Sequence, residues 1–133
     1  MKLYYNAKLN KFINIAILEA YKSNLKNRHG AVLIYNNTIV AKGHNKYLRN
    51  GHIYFDSTGN NLRTIHAEMD VITKCPKKYL SSAILIVVRL PTSLCLKELG
   101  KKRITIKDCS SSEPCPKCSR LIIKSKIPIV FFS

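Results

Sequence analysis

Two short motifs constrain this chain more than any other stretch: His66-Ala67-Glu68, and Pro114-Cys115-Pro116-Lys117-Cys118. The first supplies an imidazole and, two residues on, a carboxylate. The second supplies two thiols with two residues between them. Zinc binds nitrogen and thiolate sulfur, and a catalytic zinc keeps three protein ligands and one open position. His66, Cys115 and Cys118 make such a set, and Glu68 is left over to carry protons. Whatever the fold, it must bring residues 66 and 115 into contact across 49 positions of sequence.

Local pattern places both motifs at helix starts. From His66 onward, Met69, Val71, Ile72 and Cys75 form an apolar side that Pro76 ends, and Thr64 is the expected N-cap. Pro116 suits a first helical position, ahead of Leu121, Ile122 and Ile123. Free N–H groups and the helix dipole at such starts favour anions and lower thiol pKa values. At the start of a helix, His66 and Glu68 can share one cavity, and Cys115 and Cys118 lie on one side.

The rest of the chain predicts alternating elements. Phe12, Ile13, Ala16, Ile17 and Ala20 fall at helical spacing within 9–23. Strands over 31–35 and 38–41 flank Asn36-Asn37, a tight hairpin turn. Residues 46–63 read as a long polar loop, and 83–90 as a strand buried on both faces. Residues 91–113 read as a helical turn at 94–99, a basic turn at 101–103, a short strand at 104–106 and a loop at 108–112. A last strand covers 129–132. The order gives one domain, residues 1–133, of α/β class with helices over a mixed sheet.

The chain has 133 residues and a net charge of +16, from 23 Lys+Arg against 7 Asp+Glu. This charge favours anionic partners, nucleotides or nucleic acid. Lys outnumbers Arg 17 to 6, whereas phosphate and base recognition favours Arg, which weakens the nucleic-acid alternative. Two of the five cysteines stand in the C-x-x-C, which argues for a reducing compartment rather than a disulfide scaffold. With no secretory pattern and no apolar run of about 20 residues, a cytoplasmic protein without a membrane partner is expected.

A structural zinc knuckle is the competing reading of the C-x-x-C. It needs a fourth protein ligand, which Cys75, Cys95 or Cys109 could supply. It leaves Glu68 unexplained. An open zinc site lowers the pKa of bound water to about 7, and Glu68 would move protons between that water, a ring nitrogen and a departing amine.

With H-A-E and P-C-x-x-C together, the chain resembles the cytidine and deoxycytidylate deaminase superfamily, over roughly residues 9–133. The resemblance includes Gly30-Ala31-Val32 and Gly43-His44-Asn45. It implies a three-layer α-β-α sandwich with a mixed central sheet, zinc on His66, Cys115 and Cys118, and Glu68 as proton shuttle. It further implies that Asn45 bonds the base or sugar and that the Ala67 N–H meets the pyrimidine carbonyl. His44, next to Asn45, joins the substrate-binding candidates, against a solvent-facing alternative. Tyr47, Tyr54 and Phe55 are candidates for stacking on a base, against packing roles. His29 leans to a structural role, His52 to the surface, and Arg89 calls for an anionic partner or an exposed strand end.

The activity expected is hydrolytic conversion of cytosine to uracil, on a free nucleotide such as dCMP. The alternatives are deamination of a polynucleotide (adenosine in tRNA, or single-stranded cytosine) and a non-catalytic zinc-stabilised nucleic-acid-binding module. Relatives commonly associate, so a homo-oligomer is expected. The 91–113 segment departs from relatives in which the buried strand runs almost directly into P-C-x-x-C, and reads as a flap near the site or a surface excursion.

Overall fold

The computed structural model describes residues 7–47, 54–55, 61–62, 64–91 and 105–133. In chain order the elements are α1 (Ala7–Tyr21), β1 (His29–Tyr35), β2 (Thr38–His44), β3 (Lys46–Tyr47), β4 (Tyr54–Phe55), β5 (Asn61–Leu62), β6 (Thr64–Ile65), α2 (Ala67–Lys74), α3 (Lys77–Leu80), β7 (Ile84–Arg89), a 3-10 turn (Ile106–Asp108), α4 (Pro116–Lys124) and β8 (Ile129–Phe132).

The main sheet has the order β2-β1-β7-β8. β1 pairs antiparallel with β2 and β7, while β7 and β8 run parallel. The sheet is therefore mixed, as expected. A parallel pair needs a crossover, and α4 lies on the connection from β7 to β8. The hairpin closes as the sequence predicts. Asn36 and Asn37 take φ of 50° and 62°, the left-handed values that a two-residue turn matched to strand twist requires.

β1 and β7 are buried on both faces, and their alternate residues feed two cores. Val32, Ile34, Ile86 and Val88 pack with Phe12, Ile13, Ala16, Ile17 and Ala20 of α1. Ala31, Leu33, Leu85 and Val87 pack with Val71 and Ile72 of α2 and Ile122 of α4. Each large apolar side chain so buried stabilises the fold by about 1.5–3 kcal/mol relative to exposure, so the helices are held to both faces and the sandwich has three layers. At Gly30 the contact between α1 and β1 is closest: a Cβ there would lie 2.0 Å from the Ala16 carbonyl oxygen and 2.6 Å from the Ala20 nitrogen. Neither backbone atom can yield, so only glycine fits.

Three local expectations are corrected. The stretch 46–63 is not plain loop: β3 pairs with β6 and β4 with β5. Thr64 therefore lies in a strand, and the N-cap of α2 is His66, whose side chain makes no cap bond. Thr105 and Ile106 form no strand. Thr105 and Asp108 close a reciprocal capping box on a 3-10 turn, because side-chain oxygens here satisfy the backbone that a strand would have left to a neighbour. Pro76 does more than end α2: its extended backbone (φ −56°, ψ 130°) caps α3. The expected turns at 94–99 and 101–103, together with His52 and Cys95, lie outside the described residues.

The described end of the 91–113 segment returns to the sheet. Ile106 and Cys109 pack against the α1-side core. The Ser110 N–H donates to the Arg89 carbonyl at 2.9 Å, and the buried Ser112 hydroxyl donates to the Val87 carbonyl at 2.8 Å. Residues 105–112 are thus tied to β7, and they deliver the chain to Pro114-Cys115 from a fixed point. Among the described residues no helix is long and apolar enough to cross a membrane.

Candidate active site and metal centre

The starts of α2 and α4 meet. His66 keeps an extended backbone (φ −73°, ψ 155°) as the last residue before α2, and its carbonyl accepts the helix's first bond, from Asp70 N–H, at 2.9 Å. With no capping duty, its ring turns to α4. Cys115 is the N-cap of α4, ahead of Pro116, and its sulfur accepts from the Cys118 N–H at 3.4 Å. His66 Nδ1 stands 3.3 Å from Cys118 Sγ and 3.6 Å from Cys115 Sγ. All three ligand atoms lie within 4.8 Å of one another.

This donor set fits zinc. One nitrogen and two sulfurs converge as a tetrahedral site with a free corner requires. Cys118 is buried (1% exposed), and burial, then the charge of Glu68, then Cys115 push its thiol pKa far up. Two sulfurs and a carboxylate packed together are tolerable as anions only around a cation, which would reverse the shift. The structural-knuckle reading finds no support among the described residues. Cys75 packs in the α2–α4 core and Cys109 against the α1-side core, and neither joins the three-donor cluster.

Glu68, the second residue of α2, is 5% exposed and faces a cavity of about 480 Å³. His66, Ala67, Glu68 and Cys115 form its metal-side wall. Leu25, Lys26, Asn27 and His29 form the opposite wall, with Asn45, Tyr47 and Thr64 beside them and Ser112 and Glu113 at the approach to α4. The size suits a small ligand. Ala67 supplies the first N–H of α2, which has no partner within the helix.

Asn45 lines the cavity, but much of its side chain is already engaged. Its Oδ1 accepts from the His29 N–H at 2.8 Å and its Nδ2 donates to the Asn27 carbonyl. It thereby holds the 27–29 segment as a wall. Arg89 supports the same segment, donating from Nη2 to Asn27 Oδ1 at 3.2 Å. The partner that Arg89 finds is thus a neutral amide rather than an anion.

His44 is a correction. Its ring does not line the cavity: Nδ1 lies 3.2 Å from Glu19 Oε2 on α1. Glu19 is buried at 4% exposure and also pairs with Lys22 at 2.7 Å. Burial raises its pKa, but Lys22 and His44 outweigh that and hold it below the usual carboxylate value. The alternation of β2 decides this, since neighbouring residues point to opposite sides.

Asp70 shows the same division on α2. It is buried like Glu68, yet it accepts from the His44 N–H at 3.2 Å and pairs with Lys46 at 3.0 Å and Lys74 at 2.9 Å. It fixes α2 against β2, at a point where Gly43 leaves room. A Cβ on Gly43 would sit 2.5 Å from Asp70 Oδ2. Sequence reasoning missed Asp70, Leu25 to Asn27, Ser112 and Glu113. Only Gly43, facing a helix with two acids two residues apart, carried any signal of this.

Fold and site together define a zinc-type hydrolase of the deaminase class. The chain belongs to the family described as the cytidine and deoxycytidylate deaminase zinc-binding region, whose model matches residues 6–133. The dCMP deaminase from the cyanophage S-TIM5 is similar in its apo form, with TM-score 0.61 and 20% identity over 96% of this chain and 84% of that one. The same enzyme in complex with dCMP and dUMP gives TM-score 0.57 and 18% identity, over 96% and 83%. RibD from Acinetobacter baumannii gives 0.51 and 14%, over 92% of this chain and 27% of RibD. At these identities the structural likeness establishes the fold. No curated protein sequence matches the chain.

Proposed function

We propose that this protein deaminates the cytosine of a free nucleotide, with dCMP the first candidate. The observation that carries the reading is one cavity walled on a single side by three zinc donors and a buried carboxylate. A zinc ion held by His66, Cys115 and Cys118 would supply a water of lowered pKa as nucleophile. Glu68 would take one proton of that water and pass it to the ring nitrogen as the oxygen bonds to the amino-bearing carbon, then take the second proton from the new hydroxyl and give it to the amine as the carbon–nitrogen bond breaks, so that cytosine and water become uracil and ammonia. Its burial keeps bulk water out of these transfers. The Ala67 N–H donates to the pyrimidine carbonyl. Asn45 contacts the sugar and holds the wall facing it. Tyr47, largely exposed at the rim, offers a ring for stacking.

The choice of a free nucleotide is supported by the limited cavity and by the S-TIM5 enzyme, a dCMP deaminase bound to dCMP and dUMP. A polynucleotide substrate is the second reading, favoured by the net charge of +16. Ammonia release from dCMP, CMP, cytidine, tRNA and single-stranded DNA separates them. Turnover of dCMP well above the polymers is expected; preference for either polymer would transfer the reading to the second class.

A further inference from the structure

The cavity lies at one end of the sheet, and unpaired positive charge collects at the other. β7 runs six residues, from Ile84 to Arg89. Arg89 stands across from His29 in the cavity wall, and Ile84 stands across from Ile34 and Ile129. At ~3.3 Å per residue the two ends are about 17 Å apart. α2 and α4 start at the cavity, so their C-terminal ends reach the far end, where Leu80 of α3 packs in one core with Ile122 and Ile127. Lys77, Lys78, Lys124 and Lys126 therefore share this pole, with Arg120 one turn before Lys124, and all five are exposed.

The acids are elsewhere. No Asp or Glu occurs over 71–97 or 114–133. Among the described residues the acids belong to the cavity end. Glu68 and Glu113 line the cavity. Glu19 and Asp70 bind His44. Asp108 caps the turn that leads to the bridge between Ser110 and Arg89. Glu19 and Asp70 also pair with Lys22, Lys42, Lys46 and Lys74, whereas among the described residues none of the five cations at the far pole forms an ion pair. Lys78 instead places its Nζ 5.0 Å from the Tyr79 ring centroid. The two helix C-termini add about −0.5 each, so the pole keeps a surplus of about +4, all of it facing solvent.

We propose that this pole docks the protein on a nucleic-acid backbone, by contacts to phosphate and without reading bases, with the cavity open at the opposite end. Four of its five cations are Lys, point charges on flexible stems that neutralise phosphates in any sequence, whereas base reading favours the Arg fork. A duplex offers one charge per ~1.7 Å of its axis, dense enough to engage the whole group. An anionic bilayer would also attract it, but Ile123 is the one large apolar side chain exposed at this pole among the described residues, too little apolar surface to embed a helix. The proposal is independent of the choice of dCMP as substrate. It gives this charge a use other than delivering a polymer to Glu68.

The test is the fluorescence anisotropy of a labelled DNA duplex of about 20 base pairs with the zinc-loaded full chain, between roughly 50 and 200 mM salt. With four or five phosphates neutralised, the logarithm of the affinity should fall against that of salt with a slope of about −4. Lys77→Glu with Lys124→Glu should weaken binding at least about tenfold at the lower salt and bring the slope nearer zero by about two, with zinc content and dCMP turnover unchanged. The milder pair Lys77→Gln with Lys124→Gln should move the slope the same way. Lys11→Glu with Lys42→Glu alters the net charge equally, on α1 and the strand facing it, and should weaken binding far less. No duplex binding by the wild type, or equal losses in the two Glu pairs, would overturn the pole and leave the deaminase reading standing. Competition between duplex and dCMP would place DNA in the cavity, and capture by phosphatidylserine vesicles without duplex binding would place a membrane at the pole; either result overturns the proposal. If dCMP is not turned over, the deaminase reading falls, and anisotropy with zinc content still decides the pole.

Discussion

The two walls of the cavity are built by different means. The metal-side wall comes from two helix starts, and each functional group there stands next to the residue that fixes its backbone: His66 before α2, Cys115 before Pro116 of α4. The opposite wall comes from a loop, Leu25 to Asn27, that the Ser23 hydroxyl starts, accepting from the Leu25 N–H at 3.2 Å, and whose Asn27 is held by side chains distant in sequence, Asn45 and Arg89. The first wall depends on local geometry and on the ion that it binds. The second depends on hydrogen bonds that span up to 62 residues. Damage to the first should therefore remove chemistry, and damage to the second should weaken recognition while leaving chemistry in place.

Glu68→Gln should give the largest effect. It removes the proton carrier and keeps all three metal donors, so kcat should fall by about 10²–10⁴ with zinc content unchanged. If zinc were lost as well, the carboxylate would belong to the metal site and the contrast would blur. Asn45→Ala should act on the other wall. It releases the Asn27 and His29 backbone, and KM should rise about tenfold, the effect of one or two lost buried hydrogen bonds. A fall in kcat with KM unchanged would break the comparison. Lys26→Ala removes a cation at the rim of this wall. It should raise KM for dCMP by about two- to fivefold, the scale of an exposed ion pair, with little change for cytidine, which has no phosphate.

The smallest effect concerns pH. An unfolded His29 binds its proton near the ordinary value of 6.5, and the folded one near 4. Between those values the unfolded state holds more protons, so the contribution of His29 to stability is complete above pH 6.5 and lost as pH falls toward 4. The melting temperature of the wild type should fall more than that of His29→Gln across this window. Parallel curves would show that the ring is not held neutral in the wall.

The same contrast explains what the sequence disclosed. Metal ligands at helix starts, the Asn36-Asn37 turn and the doubly buried strand all leave a signature within a few residues, because spacing, turn chemistry and apolar runs are local. The α/β class with helices over a mixed sheet followed from them, and its three layers from the family resemblance that the two motifs carry. The β3–β6 pairing, the turn of His44 to Glu19, the role of Asp70 against Gly43 and the wall from Leu25 to Asn27 arise from contacts between elements far apart in the chain. Nothing in their own neighbourhoods encodes them. Thr64 illustrates the difference: it is a good N-cap by composition, yet pairing with Tyr47 places it in a strand.

The central claim is that the metal-side wall is an open three-donor zinc site. X-ray absorption at the zinc edge of the loaded protein tests it directly. The expected spectrum has two sulfur ligands at about 2.3 Å and two nitrogen or oxygen ligands at about 2.0–2.1 Å, the second of them exchangeable solvent. Three or four sulfur ligands would mean that another cysteine closes the site, and the protein would then carry a structural zinc rather than a catalytic one.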